Sequence, residues 1–429
     1  MPEIKLPYGK KYLSVNLPDN LNLEIIKTKY VEGLPDEERA VSDALKAPIG
    51  YPPLSEIVKS SDRVGIIFSD ITRATPYRRI LPPLLNELKK IPDEQVVLFC
   101  ATGTHRPNTK EELFGIIGKE VVNRFKIIQN DALDEFSHAS LGTTSLGTPV
   151  NILKSFLDCD IGIATGFIEP HFFAGFSGGG KAVMPGLASI ETVLSNHSVK
   201  NIDNPGATWA VTEGNPIYKD IMESAEICEG QFRVSLFLLN VALNRDKAIT
   251  GVFAGDLRIA HRKGCAFVKD ASMRPVEKAF DIVITSNSGY PLDLNLYQTV
   301  KGMSAAAQIV RKGGSIIVAS SCWDGIPEHG RYGELLKTSR SPGELLDRIR
   351  KPGFASIDSW QAQIHASICK KAHVYLYSEQ LSDKQIEGAF LKVSRSIEET
   401  LMSLLEVYGR DASVCVLPEG PMTIPYISG

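Results

Sequence analysis

Lys181 closes a stretch holding four glycines (175, 178, 179 and 180), and three histidines at 105, 171 and 197 sit in or beside loops. The stretch Gly175–Lys181 (GFSGGGK) repeats the first seven positions of a phosphate-binding loop, G-x-x-x-x-G-K. Glycines there let backbone N–H groups close on phosphate oxygens, with a helix N-terminus behind them. The eighth position, where a hydroxyl should hold magnesium, is Ala182, and the preceding strand pattern ends near Thr165 rather than at the loop. A nucleotide-hydrolysing reading loses support on both counts. A phosphate-taking loop through Ser177, Gly178, Gly179 and Gly180 remains, beside the plain alternative of a tight turn. Lys181 has two possible jobs, a phosphate clamp or a covalent attachment point, and its own surroundings in the sequence do not choose between them.

His105 lies in ATGTHRPNT, a hydroxyl-rich loop, and His171 follows Glu169-Pro170. Two loop histidines near strand ends suit an acid–base pair, because imidazole titrates near neutrality. His197, after Ser195-Asn196, closes a helical stretch and suits either a metal ligand or a dipole-favoured helix end. Gln298 and Lys301, in YQTVK, stand three apart and hence on one helical face, an amide and a cation that suit a carboxylate as well as a solvated surface. Trp360 can wall a pocket or fill the core. The other histidines (138, 261, 329, 365 and 373) lack such contexts and are read as structural or surface residues.

Seven short runs must position these groups: RVGIIF (63–68), QVVLFC (95–100), DIGIAT (160–165), DIVIT (281–285), SIIVA (315–319), HVYLY (373–377) and SVCVL (413–417). Continuous β-branched runs interleaved with amphipathic helices imply parallel sheets covered on both faces. The polar candidates follow the strands: Asp70 and Arg73 the first, His105 the second, His171 the third. Ligands of open α/β sheets bind beyond the carboxyl ends of strands. The expected architecture is α/β with two domains, each a largely parallel sheet flanked by helices, and the active site in the cleft between them. Residues 1–275 are expected to form the N-terminal catalytic domain, with 400–429 able to rejoin it, and 276–399 a second α/β domain. The middle, Glu191 to Val276, reads as mostly helical with one apolar run at Phe232–Asn244.

The 429 residues exceed what one core usually serves, which favours two domains. A net charge of −3 offers no field for nucleic acid or anionic membranes, so a small-molecule partner is expected. Seven scattered cysteines without a C-x-x-C pair read as buried thiols in a reducing compartment and argue against a thiolate metal site. The start, MPEIKLPYGKKYLSV, lacks an apolar signal region, and the most apolar stretch, Val234–Leu243, is too short to span a membrane. The expected location is the cytoplasm.

Taken in order, DITRATP (70–76), ATGTHR (101–106), EPHFFAGFSGGGK (169–181), SNH (195–197), YQTVK (297–301) and the C-terminal LPEGPMTIPY make the chain resemble the nickel-pincer lactate racemase family of 2-hydroxyacid racemases and epimerases. The resemblance implies a nickel pincer nucleotide, pyridinium-3-thioamide-5-thiocarboxylic acid mononucleotide, attached to Lys181 as a thioamide. It gives His197 the protein-derived place on nickel and makes His105 and His171 the acid–base pair. Arg73, Gln298 and Lys301 would hold the substrate, with Asp70, Tyr297 and Trp360 beside them, and Ser177 and Gly178–Gly180 would cradle the mononucleotide phosphate. The implied reaction inverts the hydroxyl-bearing carbon of a 2-hydroxyacid by hydride transfer, with cofactor-making proteins as partners. Lactate, longer or aromatic hydroxyacids, malate-like diacids and sugar acids all remain open as substrates. Ala74 stands where the family more often has proline, a small change beside Thr72 and Arg73. The alternatives are a P-loop-like, nucleotide-phosphate-binding enzyme without nickel, and a non-catalytic carrier with this fold.

Overall fold

The computed structural model describes residues 3–232 and 236–428, which divide into two compact units. One is Tyr30–Asp270; the other joins Met1–Lys29 to Ala271–Gly429.

The 30–270 unit is built on a six-stranded sheet. Its strands run Ile249–Asp256, Phe237–Leu243, Ile161–Phe167, Val64–Ser69, Val96–Ala101 and Lys126–Gln129 in spatial order. All neighbours are parallel except the first two. VGIIFS and VVLFCA are buried up to their last residue, and IGIATGF is buried throughout. Strands covered on both faces need such unbroken apolar runs. Ile80, Leu81 and Leu84 of the helix Tyr77–Glu87, and Val41 and Leu45 of Glu37–Lys46, join Val64, Ile66 and Phe68 in one core. The earliest of the parallel strands, Val64–Ser69, lies inside the sheet, with Val96–Ala101 on one side and Ile161–Phe167 on the other. The chain therefore winds outward in both directions from this strand, and its carboxyl end is a topological switch point where loops converge.

The second unit has its own six-stranded sheet, in the order Lys392–Ser394, His373–Tyr377, Val310–Ala319, Phe280–Ser286, Ser413–Leu417, Asn22–Ile25, all parallel. An N-terminal hairpin, Glu3–Tyr8 with Lys11–Asn16, lays Ile4, Leu6, Tyr8 and Val15, with the following Leu17, on Ile282, Ile284 and Ile317 and on Leu401 and Leu404 of the helix Ile397–Tyr408.

Three expectations are corrected here. Residues 1–29 do not belong with 30–275, because their strand Asn22–Ile25 pairs with Ser413–Leu417 and their apolar faces are buried in that unit. The segment 400–429 does not rejoin the first domain: Ser413–Leu417 pairs with Phe280–Ser286 instead. The middle is less helical than expected, since Phe237–Leu243 is followed by a second strand, Ile249–Asp256, before the helix Leu257–Ser272. Of the expected apolar run, residues 233–235 lie outside the described residues. Among the described residues no helix is long and apolar enough to cross a membrane.

Leu17 is fully buried in the second unit's core. Leu17→Ala should cost about 2–5 kcal/mol, read as a lower urea midpoint. An unchanged midpoint would show that the N-terminal segment is not part of that core.

Candidate active site

Asp70 is the first residue beyond the strand Val64–Ser69 and is only 3% exposed. Its Oδ1 accepts from the Thr72 hydroxyl at 2.6 Å and from the Thr72 amide at 3.1 Å. Its Oδ2 lies 2.6 Å from His105 Nδ1, brought over by the loop after the neighbouring strand. Burial works against the charged carboxyl, but the His105 contact, the Arg73 charge and the Thr72 hydroxyl outweigh it and hold Asp70 down at about 2. A carboxylate can only accept, so His105 donates through Nδ1 and its neutral ring keeps its lone pair on Nε2. The His105 loop is fixed by its amide to the Thr102 carbonyl at 2.9 Å, and by Gly103 N–H to the Gly186 carbonyl at 3.1 Å.

Across the switch point, Arg73 Nη1 stands 3.6 Å from Glu169 Oε1, after the strand Ile161–Phe167. That is an ion pair too long for a hydrogen bond, and Nη1 is buried without a hydrogen-bond acceptor. The pair orients the guanidinium more than it stabilises the fold. Ser177 ties down the next turn: its hydroxyl donates to the Phe167 carbonyl and accepts from the Glu169 amide, and its own amide donates to the Glu169 carbonyl.

His171 and Gly175 pair in a two-residue antiparallel ladder, and the Ala174 amide donates to His171 Nδ1 at 3.2 Å. An imidazole nitrogen that accepts carries no proton, so the neutral His171 ring is protonated on Nε2, the opposite tautomer to His105. Phe173 sits at the centre of the group. Its ring lies 4.5 Å from that of His171 and 4.9 Å from that of His197, both edge-on, and Lys181 Nζ stands 5.7 Å from its centroid. His197 follows the helix Ile190–Asn196, its amide bonded to the Val193 carbonyl. Burial, helped by the Lys181 charge, pushes His197 down to about 3 and keeps it neutral. Neutral imidazole is the form that binds a metal. Among the described residues no group of three or more His, Cys, Asp or Glu side chains is arranged to hold a metal ion.

At two positions of the glycine run, protein atoms occupy the space beside the backbone. A Cβ on Gly178 would stand 2.4 Å from Asn240 Oδ1, and one on Gly179 would stand 2.6 Å from His261 Cγ. Both residues have positive φ, 74° and 56°. The Gly179 amide already donates to Asn240 Oδ1 at 2.8 Å, and Ser177 spends its hydroxyl and amide on the chain. These glycines are small because protein packs against them. Only a short 3-10 turn, Gly179–Ala182, follows, so the helix N-terminus of a P-loop is missing and the nucleotide-binding alternative loses its structural basis.

The second unit carries the remaining candidates. Tyr297, Gln298 and Lys301 lie on the helix Leu296–Ala307, whose N-cap Asn295 accepts from the Gln298 amide. Gln298 and Lys301 are buried, and Gln298 Oε1 has no hydrogen-bond donor. Trp360 Nε1 donates to the Tyr297 hydroxyl at 3.0 Å, and Gln361 donates to the Tyr297 carbonyl. Trp360 is thus a core residue that also fixes Tyr297. Sequence reasoning missed Phe173 as the common neighbour of a lysine and two histidines, Glu169 as the partner of Arg73, and Asn240 and His261 behind the glycines. Only Phe173 and Glu169 carried a signal, each two residues from His171.

The comparisons with known proteins place this α/β chain among the isomerases. Residues 8–210 match the lactate racemase N-terminal domain and residues 276–424 the lactate racemase C-terminal domain. The chain belongs to the lactate racemase family. It is 36% identical to the lactate racemase of Thermoanaerobacterium thermosaccharolyticum, over 99% of both chains. To that of Lactiplantibacillus plantarum it is 37% identical, over 98% of this chain and 99% of the relative. The solved apoprotein of the Thermoanaerobacterium lactate racemase superposes with a TM-score of 0.89 at 35% identity, covering 99% of this chain and all of the other. A Thermotoga maritima protein at 19% identity, with a TM-score of 0.72 over 93% of this chain and all of the other, shares the fold.

Gly179→Ala should destabilise the protein by about 2–4 kcal/mol, from the left-handed backbone and the clash with His261; an unchanged urea midpoint would contradict this packing. The Asp70 carboxyl is held below its unfolded value of 3.8, so its stabilisation is complete above about pH 4 and fades as the pH falls toward 2. The stability gap between wild type and Asp70→Asn should therefore be wide near neutrality and narrow at about pH 3. A gap that widens on acidification would refute the assignment.

Proposed function

We propose that this racemase inverts the hydroxyl-bearing α-carbon of a 2-hydroxyacid, with His105 and His171 exchanging the hydroxyl proton and Lys181 carrying a covalently attached nickel pincer nucleotide. The observation that carries the reading is the convergence of His171, His197 and Lys181 on Phe173. Lysine attachment beside a buried, neutral imidazole fits a cofactor that brings most of its own metal donors. When bound, the group supplies a hydride acceptor and donor for the α-carbon, which spares the protein a carbanion next to a carboxylate. The phosphate of such a group would have to be held elsewhere than on the Gly179 amide or Ser177, which the fold already uses.

The protein's own share is proton handling and orientation. His105, its Nδ1 committed to Asp70, offers a basic Nε2 to a substrate hydroxyl, while His171, its Nδ1 committed to the Ala174 amide, offers Nε2–H as a hydrogen-bond donor and can give up a proton only once its ring holds a second one, as imidazolium. Opposite tautomers offer a substrate oxygen one acceptor and one donor, and the ring that returns a proton must do so as imidazolium. Arg73, which pairs with Glu169, would take the carboxylate, and holding it would supply orientation, a large part of the rate. Gln298 and Lys301, a buried amide and ammonium on one helical face, suit the same kind of group. The cofactor-making proteins that load Lys181 are the partners this reading needs.

Peptide mass spectrometry after co-expression with cofactor-making enzymes and nickel should find added mass on Lys181 that Lys181→Ala lacks. His105→Ala and His171→Ala should each keep that mass and lose inversion by at least ~100-fold. An unmodified Lys181 under those conditions would sink the covalent reading. Full activity in either histidine variant would remove it from the pair.

A further inference from the structure

His261 was read from the sequence as structural or surface, and the structure gives it a more specific setting. It lies on the helix Leu257–Ser272, 1% exposed, with Nε2 2.9 Å from the Ser177 carbonyl and Nδ1 3.3 Å from the Tyr218 hydroxyl. The Tyr218 ring stacks on it at 6.1 Å and 16°. Burial pushes His261 down to about 4, partly offset by the Ser177 carbonyl, so it carries one proton near neutrality. That proton belongs on Nε2, because a carbonyl can only accept. Nδ1 is then an acceptor, which the Tyr218 phenol, kept protonated by burial, is suited to serve. The result is a one-way relay: Tyr218 hydroxyl to His261, His261 to the Ser177 carbonyl.

A second, independent contact acts on the same turn. Asn240, on the strand Phe237–Leu243, accepts from the Gly179 amide and packs against the Cα of Gly178. The imidazole of His261 packs against the Cα of Gly179. The turn that ends in Lys181 is thus gripped on Ser177 and Gly179 by two side chains from distant elements.

We propose that His261 and Asn240 are positioning residues for Lys181: they clamp the turn Ser177–Lys181 so that the lysine amine is presented beside Phe173 and His197. The proposal rests on the reading that Lys181 is an attachment point, but the clamp itself is testable without cofactor. Removing it frees the turn and changes how fast the amine meets a reagent. A bulky neighbour that merely filled the core would change stability and leave the amine's reactivity where it was.

The test is competitive acetylation of the full-length apoprotein with acetic anhydride, reading Lys181 against the exposed Lys89 by peptide mass spectrometry, in parallel with the loaded fraction after co-expression. His261→Ala should raise the Lys181/Lys89 labelling ratio at least threefold and lower the loaded fraction by a similar factor. His261→Gln, whose amide can still donate to the Ser177 carbonyl, should recover most of both. If His261→Ala does not fold, Tyr218→Phe removes a single oxygen and should shift the ratio about twofold, through loss of the bond that orients the imidazole. A folded His261→Ala protein, or in its absence Tyr218→Phe, with wild-type labelling overturns the clamp. A wild-type protein that never gains mass on Lys181, while its labelling ratio responds to His261, overturns the attachment reading and leaves the clamp standing.

Discussion

The ring of Phe173 is where three segments of the 30–270 unit meet: the short ladder of His171 with Gly175, the end of the helix carrying His197, and the turn carrying Lys181. Each contact is modest, about 0.5–1.5 kcal/mol for an edge-on aromatic pair and about 0.5–2 for a cation over a ring. Their value lies in direction. The Lys181 charge discourages protonation of His197. A ring whose face accepts a cation and whose carbons pack against imidazoles allows all three in one place. The switch point of the sheet then adds the Asp70–His105 pair and the Arg73–Glu169 pair from two neighbouring strands.

The two catalytic candidates differ in what fixes them. Asp70 is an anionic acceptor that stays ionised despite burial, and it makes His105 a donor through Nδ1. His171 faces a backbone amide that can only donate, and protonating its Nδ1 would set two N–H groups against each other. In their neutral forms the two rings thus carry one free lone pair and one N–H donor. The asymmetry comes from a carboxylate on one side and a peptide group on the other.

Much of the scaffold was legible because strands covered on both faces must be continuously apolar, as in VGIIFS and IGIATGF, and because polar residues directly after such strands mark the ligand edge. The N-terminal segment was not legible: Asn22–Ile25 has four residues, three of them exposed, and carries no burial pattern to announce its partner. Ile249–Asp256 was hidden for a related reason, as an antiparallel edge strand with two glycines and only half its residues buried. The glycine run shows the limit of a motif most clearly. Its spacing suggested a phosphate, but the atoms that meet Gly178 and Gly179 belong to Asn240 and His261, and the bonds that grip the turn span 61 and 84 positions. Phe173 was visible only as one aromatic among several, because nothing in a sequence says which ring three distant side chains will share.

The central claim is that His105 and His171 handle the hydroxyl proton and never the hydrogen on the α-carbon. The most direct measurement is racemisation of a 2-hydroxyacid deuterated at that carbon, with loaded enzyme in ordinary water, followed by mass analysis of both enantiomers. The account predicts that the inverted product keeps its deuterium through many turnovers. Washout into solvent at the rate of inversion would mean that a protein base removes the α-hydrogen as a proton, and would contradict it.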